Sequence, residues 1–594
     1  MFNFLKLLSD KVEVSAMVTQ EQEQTLQTPP PQVKHRSFDR PVQWGIFIIT
    51  AILVIFPAWP ILYQSVMNKP LYDASRSFTL DNFTRVLSNG EFWGVLGGTV
   101  VYALATTILA VVIGATLAVL LTRTDMPGRR WLATLIVVPF YISPLILAFA
   151  WIIVFGPQGY LTNLARNLGL PVWDLYSLAG ITIVTATYYM PYAYLYCTST
   201  LALADPQLES AARIGGAGPV RALWSVTVPL MRPALVFSTL LVLVSTVELL
   251  SIPLVLGTPS NVNVLSTYVY TIGIVGVRTD YGAIAVISIL TVLLVTGLVM
   301  LQSKLVAQER RFVTVGGKAT RPRQLKLGGL RWVMFGLVLL YVIIAIVLPL
   351  LGILAQAFTS ILSPFINPLT VITLDNFGLI FDTPSYSQSI INSLLIAVIG
   401  GAIGVLFMAF CALTVYRSDL KGRKILSYLA LYPRAFPGII VGIGFLWAFL
   451  LIPGIGGVRN TIWVMALAFI MRHLPLGFTS ISPAVLSVST ELDRAARVSG
   501  ATWLGVARSI MLPLLRPALL STYVLLIITF LKEYAVALFL FAPGSQVIGT
   551  TLIELWRQGN SGPISALATI QLVLTLIIVV ISRKVLGVKL YEEK

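Results

Sequence analysis

Charged side chains are scarce in this sequence. Asp, Glu, Lys and Arg make up 11% of its 594 residues, against about 25% in soluble domains. Cysteine and histidine are scarcer still, at two residues each. Cys197 and Cys411 both sit in apolar runs, which excludes a disulfide framework and a cysteine metal motif. Two histidines exclude a His-rich metal site. A phosphate-binding loop is also missing: Gly316-Gly317-Lys318 comes nearest, but Ala319 follows it and Phe312 stands where the first Gly belongs. No Ser/His/Asp or paired-carboxylate arrangement supports hydrolysis, so the chain reads as a non-enzyme without a cofactor of its own. Apolar residues, by contrast, reach 57%, far too many for a disordered chain.

Apolar runs of ~20 residues are long enough to cross ~30 Å of hydrocarbon as helices. Twelve are expected: 43–64, 93–122, 131–155, 179–203, 226–256, 280–303, 331–358, 389–415, 425–452, 460–486, 510–542 and 562–582. The net charge of +17 would ordinarily suggest nucleic acid, but its placement says otherwise. With the N-terminus in the cytoplasm, 31 of the 41 Lys and Arg residues fall in cytoplasmic segments. Seven fall outside (Lys69, Arg76, Arg85, Arg166, Arg278, Arg459 and Arg557), and Arg434, Arg472 and Lys532 fall within spans. That is the positive-inside pattern, with both termini cytoplasmic. It predicts a multi-pass protein among membrane lipid, with no nucleic-acid partner.

The expected organisation is a polar, partly disordered cytoplasmic tail (1–42), a first six-span half (43–303) and a basic linker (304–330). A second six-span half (331–584) and a short cytoplasmic tail (585–594) follow. The halves repeat. Thr79-Leu80-Asp81-Asn82-Phe83 recurs as Thr373-Leu374-Asp375-Asn376-Phe377, and Arg123, Asp125 and Gly128 recur as Arg417, Asp419 and Gly422, all at an offset of 294. Further on, Ala211-Ala212-Arg213 recurs as Ala495-Ala496-Arg497 at an offset of 284. Six spans return the chain to its starting side, so the repeats are parallel, about an axis along the membrane normal. The expected fold is an all-α membrane protein of about 12 helices in two parallel six-helix halves.

The cytoplasmic loop after the fourth span carries Glu209, Ala211, Ala212 and Gly216, with Pro229 thirteen residues beyond the Gly. Its second copy carries Asp493, Ala495, Ala496 and Gly500, with Pro513 at the same spacing. The Ala pair gives a short helix a face that another protein can approach closely, and Gly ends the helix. Here the sequence resembles the permeases of ATP-binding cassette importers, whose signature is Glu-Ala-Ala, three residues, Gly, nine residues, Ile, one residue, Leu-Pro. The strict Glu position holds Ser210 and Arg494, with the acid one residue earlier in each copy. The resemblance implies a coupling helix in each half, two copies of an ATPase subunit that binds the ATP, and an external solute-binding protein. It also implies a bacterial inner-membrane location and alternating access. Without a partner, the same loop would be an interfacial amphipathic helix.

Ionisable groups at membrane depth default to a pathway. Glu248 and Glu533 occupy nearly matching places in the fifth and eleventh spans, and Lys532 precedes Glu533. Arg472-His473 in the tenth span aligns with Tyr188-Tyr189 in the fourth. Arg472 cannot lose its proton, so Glu248 or Glu533 is its candidate structural partner, while Arg434 can snorkel to the cytoplasmic surface. The run Tyr188, Tyr189, Tyr192, Tyr194 and Tyr196 offers phenol oxygens to a passing ferric ion, or simply packs. Within the importer permeases the chain resembles the ferric-iron branch most. Arg472-His473-Leu474-Pro475, Phe436 to Gly442 and Leu555 to Asn560 carry that resemblance. Ferric iron is therefore the expected cargo. Aminoethylphosphonate, thiamine, polyamines or oxyanions are the alternatives, the three basic groups suiting an anion. A proton-coupled carrier using Glu248, Glu533 and His473 is the reading from another class.

Overall fold

The computed structural model describes residues 39–203, 208, 211, 212, 214–218, 221, 223–275, 279–309, 325–363, 366–452 and 456–584. The expected tails and linker lie largely outside them, as does Glu209. Among the described residues the secondary structure is helical apart from three isolated bridges. In the first half the principal helices are α1 (Asp39–Ser65), α2 (Gly90–Arg123), α3 (Pro144–Phe155), α4 (Leu178–Leu203), α5 (Val228–Glu248) and α6 (Tyr281–Glu309). Their counterparts are α7 (Leu330–Ala357), α8 (Pro384–Arg417), α9 (Gly438–Leu450), α10 (Ile462–Ser487), α11 (Arg516–Lys532) and α12 (Ser561–Lys584).

Nine helices among the described residues are long and apolar enough to cross a membrane, or eleven when two bent pairs each count as one span. The 26-residue α4, the expected fourth span at 179–203, is rich in tyrosine and stands outside that count, so the expected twelve are not all found among the described residues. Four expected spans are not continuous. The run 131–155 breaks at Ile142 and Ser143, ahead of Pro144. The run 425–452 bends by 110° between Ala435 and Gly438, where Pro433 and Pro437 remove backbone donors. In 510–542, the helix Trp503–Leu514 meets α11 at 77° beside Pro517. The helices of 226–256 and 510–542 also stop short of their expected ends, at Glu248 and Lys532. At the first, Pro253 cannot supply the N–H that the Leu249 carbonyl would take, and no Pro or Gly lies within five residues of the second. Instead, Ser266 Oγ donates to the carbonyl of Leu249 at 2.7 Å, and Gln571 Nε2 donates to that of Leu531 at 2.6 Å. Protein groups thus satisfy the freed backbone where water cannot.

Helices α2, α4 and α5 pack together, as do α8, α10 and α11. The first helix of each half crosses to the other half: α1 packs on α9, and α7 on α3. Glycine permits both crossings. A Cβ at Gly444 would lie 2.3 Å from the carbonyl oxygen of Pro57, and one at Gly352 would lie 3.2 Å from Ile153. The outer faces are apolar at helical spacing, with Ile48, Ile52 and Ile55 exposed on α1 and Val101, Leu104, Ile108 and Val112 on α2. These faces meet lipid.

The repeated Thr-Leu-Asp-Asn-Phe segment is structural. Asn82 Nδ2 donates to the carbonyls of Ser65 and Met67 at 2.9 and 2.8 Å, locking the turn after α1. Asn376 does the same for Ala357 and Thr359 at 3.1 and 2.9 Å. Each Asn lies where only glycine leaves room, against Gly282 and Gly562 at the starts of α6 and α12.

The α2–α4 and α8–α10 crossings solve one packing problem in opposite ways. In the first half Gly114 faces Ala193, and a Cβ on Gly114 would come within 2.8 Å of it. In the second half the equivalent positions hold Met408 and Gly477, and a Cβ on Gly477 would come 2.1 Å from the Met408 sulfur. The small residue has changed sides. Gly477→Ala should therefore overpack the crossing and destabilise the detergent-solubilised protein by about 1–3 kcal/mol. Adding Met408→Gly, which recreates the first-half pair, should recover part of that loss in thermal unfolding. No recovery would contradict the complementary packing.

Candidate functional site

The buried charges converge where α5, α10 and α11 meet. Arg472, midway along α10, sends Nη2 to Glu248 Oε2 at 3.4 Å and Nε to Glu533 Oε2 at 3.3 Å. Its Nη1 donates to the carbonyl oxygen of Phe436 at 2.6 Å. His473 Nε2 lies 3.2 Å from the same Glu533 oxygen. Both suggested acids are therefore partners of Arg472 at once. Glu248 belongs to the first half and the rest to the second, so the guanidinium bridges the halves. Gly438 makes the room: a Cβ there would lie 3.2 Å from Arg472 Cζ. Two segments that looked separate in sequence, Phe436 to Gly438 and Arg472-His473, thus form one feature.

Other expected path residues surround this cluster. Lys532 Nζ reaches across to the first half, donating to the carbonyl of Phe140 at 2.7 Å and lying 5.4 Å from the Phe140 ring centre. Tyr189 donates to the carbonyl of Ser245 at 2.8 Å, one turn before Glu248. Tyr188 stacks edge-on against it with ring centres 5.0 Å apart. Arg434 sits half-buried in the short 3₁₀ turn Tyr432–Ala435, with no carboxylate within 4.0 Å among the described residues. The five tyrosines do not converge: Tyr196 is exposed and packs on Phe237. No group of three or more His, Cys, Asp or Glu among the described residues could hold a metal ion.

The second coupling loop is the helix Thr490–Val498, capped by Ser489, whose hydroxyl accepts from Glu491 N at 3.2 Å. Gly500 follows at φ +86°, its N–H bonded to Arg497 O and that of Ala501 to Ala496 O, both at 3.0 Å. This pair of bonds is a Schellman ending, which favours glycine at the left-handed position. The first copy ends alike, with Gly216 at φ +85° and Ala217 N bonded to Ala212 O at 3.0 Å. Ala211 and Ala495 are exposed, and Ala212 and Ala496 half-buried. Around them the apolar pairs Leu208/Leu492 and Ile214/Val498 stand open to solvent, Ile214 at 89% exposure.

Asp493, however, turns inward. It is buried against Arg417, the last residue of α8, at 3.2 Å. Arg417 also donates to the carbonyls of Val485, at 2.7 Å, and Val488, holding the end of α10. Its repeat partner Arg123 donates to Leu201 O at 2.8 Å, the equivalent of Val485. These arginines anchor the loops. Their recurrence at one offset was the available signal, but their partners lie 68 to 78 residues away in the chain. Arg417→Ala should strand the buried Asp493 and cost about 3–5 kcal/mol. Thermal unfolding of the purified variant measures that loss, and a loss under about 1 kcal/mol, as for a surface pair, would contradict it.

Comparison with known proteins places the chain in a family. A family model for the binding-protein-dependent transport system inner membrane component matches twice, at residues 110–311 and 400–587. The putative ferric transport system permease protein FbpB 1 of Haemophilus influenzae is 26% identical over 530 residues, covering 85% of this chain and 80% of its own. The ferric transport system permease protein FbpB of Actinobacillus pleuropneumoniae is 25% identical over 559 residues, covering 91% and 78%. A solved bacterial ABC transporter involved in alginate import aligns with 43% of this chain and 96% of its own, at 22% identity and a TM-score of 0.34. With both halves of one chain matched, the protein belongs to the inner-membrane permease components of binding-protein-dependent ABC importers, in their fused two-half form.

Proposed function

We propose that this permease carries ferric iron into the cytoplasm, delivered by an external solute-binding protein and driven by two copies of a separate ATPase subunit. The observation that carries the cargo is the pair of ferric-transport relatives aligned over about four-fifths or more of both chains. The path runs past Tyr188, Tyr189, Glu248, Arg434, Arg472, His473, Lys532 and Glu533. In the closed arrangement the Arg472 guanidinium occupies the space between the two carboxylates. Separation of the halves would part Arg472 from Glu248 while leaving it paired with Glu533. A first-half carboxylate would then face the path, a hard oxygen donor for a hard cation in transit. The cation is cargo and is not retained.

Ala211, Ala212, Gly216, Ala495, Ala496 and Gly500 form the docking faces for the ATPase subunits. The exposed apolar pairs at 208/492 and 214/498 support this, because two unpartnered apolar tips at equivalent places suit a partner present in two copies. Asp493 acts indirectly, by holding its helix to Arg417; Glu209, its sequence equivalent, lies outside the described residues. Both termini face the cytoplasm, in keeping with the placement of the basic residues.

One observation favours an anionic cargo: Lys532 and Arg434 each lack a carboxylate within 4.0 Å among the described residues. Uptake separates the readings. Cells lacking the gene, with and without it restored, are assayed for labelled ferric ion, aminoethylphosphonate and thiamine. Restored ferric uptake alone is the expected result, and Glu248→Gln should lower it about tenfold or more. Restored phosphonate uptake instead would overturn the iron reading. In the coupling loops, Gly216→Val with Gly500→Val forces two side chains into the left-handed region, at about 1–2 kcal/mol each. ATP-driven uptake should fall to background in this variant, and normal uptake would refute the docking role.

A further inference from the structure

Beneath each coupling loop the hydrogen bonds continue into the other half. Asp39, at the start of α1, accepts from the backbone N–H groups of Trp503 and Leu504 at 2.8 and 3.5 Å. Those two residues open the second-half helix that follows Gly500. The indole of Trp503 donates in turn to the carbonyl of Arg417 at 3.1 Å, and Arg417 holds Asp493 of the coupling helix. Asp39, Trp503, Arg417 and Asp493 are thus linked from the first half to the second loop.

The other side has a matching tie made of different chemistry. Leu325, leading into α7, donates from N to the carbonyl of Arg123 at 2.8 Å and accepts from Asp125 N at 3.1 Å. Asp125 Oδ1 accepts from Leu327 N at 2.9 Å, and its other oxygen lies 3.8 Å from Arg331. In one tie the acid sits on the incoming segment, and in the other it sits beside the anchoring arginine. The two ties meet at one shared place, since the repeat-equivalent carbonyls of Arg123 and Arg417 accept from Leu325 N and from the Trp503 indole. Each incoming helix then crosses to pack against the half to which it is tied.

We propose that Asp39 and Asp125 are positioning residues for energy coupling. Each fastens the leading segment of one half to the coupling anchor of the other, so that movement of either loop is delivered to both halves. A helix cap holds only where its acceptor stays in place, so displacement of the Trp503–Leu514 helix draws Asp39 and the length of α1 with it. The proposal rests on the reading that these loops receive the ATPase subunits.

The test uses the whole transporter, this chain with its ATPase subunits, in lipid vesicles. Ser88 and Asp382 are exposed repeat equivalents on opposite halves. Spin labels at Ser88→Cys and Asp382→Cys report the distance between the halves with and without a non-hydrolysable ATP analogue. In the otherwise native chain the analogue should change that distance. Asp39→Ala with Asp125→Ala should reduce the change to less than half while the analogue still binds. The loss of such a cap shifts a docked equilibrium about fivefold, so ATP hydrolysed per transported ion should rise by a similar factor. Asp39→Asn keeps one acceptor oxygen and should recover most of the coupling. An undiminished distance change in the double variant would overturn the proposal. Failure of the unsubstituted chain to bind any ATPase subunit would instead overturn the functional reading. Where the double variant does not assemble, Asp39→Cys with Leu504→Cys serves. Coupling should be lost with these thiols free and regained when a short bifunctional reagent joins them, and coupling that stays lost after joining contradicts the tie.

Discussion

One guanidinium sets the terms for the middle of this protein. Arg472 is permanently charged and lies in an apolar interior, where a single unpaired charge costs several kcal/mol. It is held by Glu248 from one half and by Glu533 and the Phe436 carbonyl from the other. Much else follows from satisfying it. Glu248 at the end of α5 and Glu533 just past the end of α11 both reach it, the bend before α9 turns a carbonyl toward it, and Gly438 leaves it space. Because its partners come from both halves, the charge that is costly to bury also closes the seam between them.

The two halves share a plan and differ in chemistry. At one depth the first half presents Tyr188 and Tyr189 and the second presents Arg472 and His473. The tyrosine hydroxyl spends its hydrogen bond on the Ser245 carbonyl, inside its own half. The arginine spends one of its three contacts across the seam, and Lys532 its hydrogen bond to Phe140. A single fused chain permits this division, since each half has only one partner to suit. The small residue that changes sides between Gly114 and Gly477 is the same freedom expressed in packing.

Much of the architecture was legible in the sequence. The doubled loop and its spacing are local patterns, and the family comparison agrees with the importer permease they implied. Gly216 and Gly500 could be read because a left-handed helix ending leaves a residue signature. Prolines mark most of the broken spans, but a proline alone does not tell a kink from a stop, and the groups that satisfy the ends of α5 and α11, Ser266 and Gln571, lie far along the chain. Arg417 and Arg123 recurred in plain view, but an anchoring role needs the partner's position, which only the fold supplies. The inward turn of Asp493 has the same origin: on a short surface helix, nothing local distinguishes an acid that faces a partner protein from one that faces an arginine beneath it.

The account turns on the seam opening at Arg472 and Glu248 during transport. Glu248→Cys with Arg472→Cys, in the transporter assembled with its ATPase subunits, tests this directly through a short thiol cross-linker. Cross-linking should be efficient without nucleotide and should fall sharply with a trapped ATP analogue. Equal cross-linking in both states would show that the seam stays closed.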